Sequence, residues 1–93
     1  MEKILEAIWS PESLRQKEQI GKIKSQTQSE LYFSKLISMI EDIKRNPFKS
    51  LGKPEHLKHE FPPCWSRRIN KKDRLVYRIK EDQIEIISIL GHY

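Results

Sequence analysis

Ninety-three residues suffice for one hydrophobic core and not for two, so residues 1–93 read as a single domain. Hydrophobic residues make up 37% of the chain and mean hydropathy is −0.72, which leaves an economical core under a strongly charged surface. Net charge is +5, and no apolar run approaches the length of a membrane span or of a signal peptide's apolar stretch, so the expectation is a cytoplasmic protein without membrane contact.

The chain opens with a strand expected over Ile4 to Trp9. Ser10-Pro11-Glu12 is a helix start: a serine cap, proline at the first helical position and an acid near the positive helix end. Leu14, Ile20 and Ile23 give this first helix a thin apolar side. The polar stretch 25–29 is either a turn or a continuous helical crossing. A second helix follows, with Phe33, Leu36, Ile37, Ile40 and Ile43 forming one stripe at three- and four-residue spacing. It should stop near Asn46-Pro47, because proline disfavours the helical state of its predecessor.

Beyond this point the periodicity changes. Residues 48–54, with Gly52 and Pro54, read as a loop. Three strands are then expected, at Trp65 to Ile69, Arg74 to Ile79 and Ile84 to Leu90, joined by the short polar connections 70–73 and 80–83. Alternation places Leu75, Tyr77 and Ile79 on one face of the middle strand, and Arg74, Val76 and Arg78 on the other. In the last strand Ile84, Ile86, Ser88 and Leu90 oppose Glu85, Ile87 and Ile89. The fold class is therefore α+β: an opening strand and two helices on an antiparallel meander, with a basic open face.

The charge is concentrated. Residues 44–80 hold twelve Lys/Arg against three Asp/Glu, a local balance of +9, while residues 1–43 hold six against seven. Such a tract marks a polyanion partner, nucleic acid first, or an acidic protein covering the same surface. A solvated basic face with no partner is the bland alternative. The single cysteine, Cys64, cannot close an internal disulfide, which suits a reducing compartment. His56 and His59 have the spacing of a metal pair but no carboxylate or thiol cluster around them, so neither metal nor cofactor is expected. Trp65 and Tyr77 read as packing residues rather than base-stacking platforms. The terminal His92-Tyr93 follows directly on an apolar strand, which offers a proton-transfer group and a stackable ring at a fixed place.

The ordered series Asn46-Pro47-Phe48, Gly52-Lys53-Pro54-Glu55, Leu57-Lys58-His59, Trp65-Ser66-Arg67-Arg68-Ile69, Arg74-Leu75-Val76-Tyr77 and His92-Tyr93 resembles the YoeB (Txe) branch of the RelE-like toxins. The N-terminal half resembles that family only in outline, through Ile8-Trp9-Ser10, and its helical region is several residues longer. The resemblance implies a toxin of a bacterial type II toxin–antitoxin pair that cuts mRNA on translating ribosomes. Implied partners are the ribosome, mRNA and an acidic, YefM-like antitoxin, with homodimerisation left open. It also implies roles: Glu55 as general base, His92 as general acid, Arg74 as the stabiliser of the transition-state phosphate, and Tyr93 as the aromatic that holds the RNA. Lys53, Lys58, Arg67 and Arg68 are implied as further phosphate contacts, Arg67 less firmly, because strand neighbours face opposite ways. Metal is unnecessary for such chemistry, since RNA carries its own 2′-hydroxyl nucleophile. Two alternatives stay open: a ParE-like toxin that binds gyrase without cutting RNA, and a non-catalytic binding remnant.

Overall fold

The computed structural model describes residues 6–47, 55–57 and 64–90. Strand β1 (Glu6–Trp9) gives way at Ser10 to helix α1 (Pro11–Ile23). The Ser13 N–H donates to Ser10 Oγ at 3.1 Å, Pro11 occupies the first turn and Glu12 sits at the positive end. The polar stretch 25–29 holds a break rather than a continuous helix. Lys24 caps the end of α1, and Ser25 opens helix α2 (Gln26–Arg45) with a reciprocal capping box. In it the Gln28 N–H donates to Ser25 Oγ and the Ser25 N–H donates to Gln28 Oε1, each at 3.2 Å. The Asn46 N–H bonds the Asp42 carbonyl at 2.7 Å, so α2 ends just ahead of Pro47 as expected.

Four strands complete the sheet: β2 (Glu55–Leu57), β3 (Cys64–Arg68), β4 (Arg74–Lys80) and β5 (Gln83–Ser88). Their spatial order is β1-β5-β4-β3-β2. The antiparallel meander of β3, β4 and β5 matches expectation, β2 extends it antiparallel to β3, and β1 closes the far edge by pairing parallel to β5, Ala7 opposite Ile84. Strand β2 is an addition to the expected set. At three residues it is too short for alternation to reveal it, and only pairing with β3 defines it. The architecture is α+β, two helices packed on a five-stranded, mostly antiparallel sheet.

The core lies between the helices and one sheet face. Ile20 of α1 and Leu36, Met39, Ile40 and Ile43 of α2 meet Ile69, Leu75, Tyr77, Ile84, Ile86 and Ile89. Each such aliphatic burial contributes about 1.5–3 kcal/mol. One member of the expected α2 stripe does not join: Ile37 is 59% exposed, while Tyr32 and Met39 are buried instead. The buried arc is centred on Leu36, and the 100° step to Ile37 carries it off the edge.

The strict alternation expected for the last strand also fails. A register irregularity between Val76 and Tyr77 sets Val76 opposite Ser88 but Tyr77 opposite Ile86, which leaves Ile87 as an extra residue on β5. A bulge shifts the phase of everything after it. Ile89 is consequently fully buried in the core, and Leu90 is only half-buried against it. Both backbone groups of Ile89 are held by the helices. Its N–H donates to Gln16 Oε1 at 2.6 Å, and its carbonyl accepts from the Tyr32 hydroxyl at 2.7 Å. The exit of β5 is thus tied to α1 and α2 together. Among the described residues, no helix is long and apolar enough to cross a membrane.

Candidate active site

Cross-strand partners in an antiparallel ladder share a face, so register decides which charges stand together. Glu55 lies opposite Ser66, Ser66 opposite Val76, and Arg68 opposite Arg74. This row is on the face away from the core, because the intervening Leu75 and Tyr77 point to the helices. Two arginines directly opposite each other repel, and a sheet keeps such a pair at some cost in stability. A bound polyanion reverses the sign of that cost.

Arg74 is the hub. One guanidinium nitrogen donates to Ser66 Oγ at 2.9 Å and faces Glu55 Oε2 at 3.2 Å. Its side chain is half-buried, whereas the Glu55 side chain is 64% exposed. The arrangement therefore has a rigid base and an open mouth: a cation fixed by the sheet beside a carboxylate that solvent or substrate can reach. Arg68 is exposed at the same end of the hairpin. Ser66 is an addition to the residues expected from sequence. It is fully buried and orients Arg74, and its place in the same alternation as Arg68 is the one signal of this role in the sequence. Further along the face, Arg78 is paired with Glu85 at 2.6 Å.

Arg67 is a correction. It was expected among the phosphate contacts, but it lies on the helix side of β3 and is fully buried. It donates to Asp42 at 2.5 Å, to the Tyr77 hydroxyl at 3.1 Å and to the Asn46 carbonyl, while Tyr77 in turn donates to the Pro47 carbonyl at 2.6 Å. Its role is structural: it locks the end of α2, where the chain departs toward β2, onto the sheet. Burial raises the Tyr77 hydroxyl above its ordinary pKa, an effect that the Arg67 bond partly opposes. Tyr77 and Trp65 pack as expected, Tyr77 in the core and Trp65 against its edge with the His56 ring 5.1 Å away. Lys53, Lys58, His59, His92 and Tyr93 lie outside the described residues. The structure thus brings Glu55, Arg68 and Arg74 together, adds Ser66 and removes Arg67.

A family model for YoeB-like toxins of bacterial type II toxin–antitoxin systems matches residues 22–93, a span that contains every candidate site residue. Toxin YoeB of Escherichia coli strain K12 is 44% identical over 59 residues, 63% of this chain and 70% of that protein. Among solved structures, a YoeB/ParE toxin from Agrobacterium tumefaciens superposes with a TM-score of 0.83 at 32% identity, covering 96% of this chain and all of the other. YoeB from Staphylococcus aureus, 30% identical over 96% of this chain and 98% of its own, superposes at 0.80 as a dimer and at 0.78 in a YoeB–YefM complex. The part of the chain outside the family match is β1 and most of α1. The chain belongs to the YoeB-like toxins of bacterial type II toxin–antitoxin systems.

Proposed function

We propose that this toxin is a ribosome-dependent endoribonuclease that inhibits translation by cutting mRNA in the cytoplasm without a metal cofactor. The observation that carries the reading is the Glu55–Arg74 pair at 3.2 Å on the sheet face away from the core, with Arg68 across the hairpin from Arg74. A purely binding surface gains nothing from a carboxylate set among cations that attract a polyanion. A strand-cleaving site needs one.

RNA brings a nucleophile one bond from the phosphorus it attacks. Glu55 takes the proton of the 2′-hydroxyl as its oxygen bonds to phosphorus. Arg74, held by Ser66, and Arg68 bear the charge that builds on the phosphorane oxygens; a guanidinium suits this role because it is planar, doubly donating and always charged. His92 gives a proton to the departing 5′-oxygen, and Tyr93 holds the RNA in line. The products are a 2′,3′-cyclic phosphate and a free 5′-hydroxyl. Lys53 and Lys58 add phosphate contacts from the segments flanking Glu55.

Two partners accompany this reading. An acidic, YefM-like antitoxin segment fits the +9 tract of residues 44–80, and the S. aureus relative is seen in a YoeB–YefM complex. Homodimerisation is supported by the S. aureus YoeB dimer. The test is brief expression without a partner, followed by mapping of RNA ends and of DNA breaks. New ends inside coding regions are expected. Growth arrest with DNA breaks and intact mRNA would instead assign the chain to gyrase poisoning of the ParE kind.

A further inference from the structure

A second basic feature borders the candidate site. Lys24, from the α1–α2 junction, and Lys71 and Lys72, from the β3–β4 turn, line an open groove of about 410 Å³ with Asn70, Asp73 and Leu90. The groove and the site share one end of the β3–β4 hairpin. Arg68 and Arg74 are the closing pair of that hairpin, and Asp73 immediately precedes Arg74, so the backbone of Lys72 lies within about 7 Å of that of Arg74. Leu90 is the residue from which the chain continues to His92-Tyr93.

The turn that carries the lysines is built rather than slack. The Asn70 side-chain carbonyl accepts from the Lys72 and Asp73 N–H groups at 2.8 and 2.7 Å, and the Ile69 N–H bonds the Asp73 carbonyl at 3.0 Å. Asp73, the acid among the described lining residues, is 4% exposed and accepts from the Asn70 amide at 3.3 Å. The two turn lysines are exposed, and Lys24 sits half-buried with its ammonium 5.2 Å from the Tyr32 ring. Three cations therefore stand above a floor whose carboxylate is turned inward.

We propose that this groove binds the phosphodiester backbone of the message strand beside the cut, so that Lys24, Lys71 and Lys72 extend the track that starts at Arg68 and Arg74. The proposal rests on the nuclease reading above for which strand is held, and its test does not depend on cutting. Ammonium groups on a fixed turn neutralise successive phosphates without reading bases, so binding should be salt-dependent and indifferent to sequence.

The experiment measures binding of a fluorescent single-stranded RNA that carries 2′-deoxy sugars throughout the cut region, which removes the nucleophile. Affinity is followed against salt for the full chain, for Lys71→Gln/Lys72→Gln and for the triple variant with Lys24→Gln. Thermal melting confirms each fold, and the double variant leaves the Tyr32 contact intact. On single strands each lost phosphate contact lowers the salt slope by about 0.7, so the double variant should lose about 1.4 and the triple about 2. Affinity at low salt should fall on the order of tenfold. Binding to vacant ribosomes, measured in parallel, should not change. The proposal is overturned if the native chain does not bind the RNA, if the slopes coincide, or if only ribosome binding weakens, which would assign the lysines to ribosomal RNA. Loss of cutting by Glu55→Gln is a separate result, so either reading can fail alone.

Discussion

Arg67 and Asp42 meet at 2.5 Å beneath the sheet, the arginine fully buried and the aspartate mostly so, while Arg68 beside it stands exposed on the opposite face. Removing one partner of a buried pair leaves a charge without compensation and costs about 3–5 kcal/mol. Arg67→Ala should therefore lower the melting temperature by many degrees or prevent folding. Arg68→Ala should melt close to the native chain and bind RNA more weakly. Chemical denaturation of both variants checks the contrast, and equal stability of the two would overturn the structural role of Arg67.

Glu55→Gln should reduce single-turnover cleavage on programmed ribosomes by about 10²–10⁴-fold, the usual worth of a positioned base. Its side chain is 64% exposed, and an exposed ion pair is worth about 0–1 kcal/mol, so the melting temperature should scarcely move. Arg74→Ala should slow cutting comparably, with a larger loss of stability because Ser66 is left buried without its donor. Cleavage that persists in Glu55→Gln would remove that residue from the mechanism.

Gln16 holds the N–H groups of Ile89 and Leu90 and the Ser88 hydroxyl through a single side-chain oxygen. Gln16→Ala should cost about 1–3 kcal/mol, because backbone donors at the end of β5 lose their acceptor. Gln16→Glu keeps the oxygen and should recover most of the loss. Deleting His92 and Tyr93 should have the opposite signature: normal melting, and cleavage reduced by at least the ~10²–10⁴-fold of a lost acid. A truncated chain that melts normally and still cuts at the native rate would refute the assignment of His92.

Burial, reinforced by nearby Asp73, raises the Tyr32 hydroxyl above its ordinary pKa of 10.0. The sign follows from proton linkage. Above pH 10 the unfolded chain releases this proton before the folded chain does, so stability is full below pH 10 and declines as pH rises toward the folded value. Tyr32→Phe should flatten that alkaline decline and cost about 1 kcal/mol at neutral pH through the lost bond to Ile89. Urea titrations at pH 7 and pH 11 measure both effects.

Glu81, in the two-residue turn between β4 and β5, has φ of 56°, a left-handed conformation that a Cβ disfavours by about 1–2 kcal/mol. Glu81→Gly should therefore raise stability by several tenths of a kcal/mol, the relief of strain being partly offset by the greater freedom of glycine when unfolded. A lower urea midpoint in this variant would count against the turn geometry.

Local chemistry makes several features legible in the sequence. Ser10-Pro11 and Asn46-Pro47 mark helix ends because a cap and a proline act on their immediate neighbours. Alternation in Arg74–Lys80 separates Leu75 and Tyr77 from Arg74 and Arg78 because the pleat has period two. The ordered motif from Asn46 to Tyr93 points to the family, and it lies inside the family match, which begins earlier, at residue 22. Other features depend on partners distant in sequence, and no local pattern encodes them. The bulge at Ile87 exists only through the pairing of β4 with β5, and beyond it Ile89 rather than Leu90 is fully buried in the core. Arg67 looks like another surface cation until Asp42, twenty-five residues earlier, is folded against it. Glu55 and Arg74 become one site only because β2 pairs with β3 and β3 with β4, bringing residues nineteen apart in sequence to 3.2 Å. Sequence thus determined which residue types and elements were present, since those follow from near-neighbour sterics and periodicity. Tertiary register decided which charges face each other, which face solvent and which are buried.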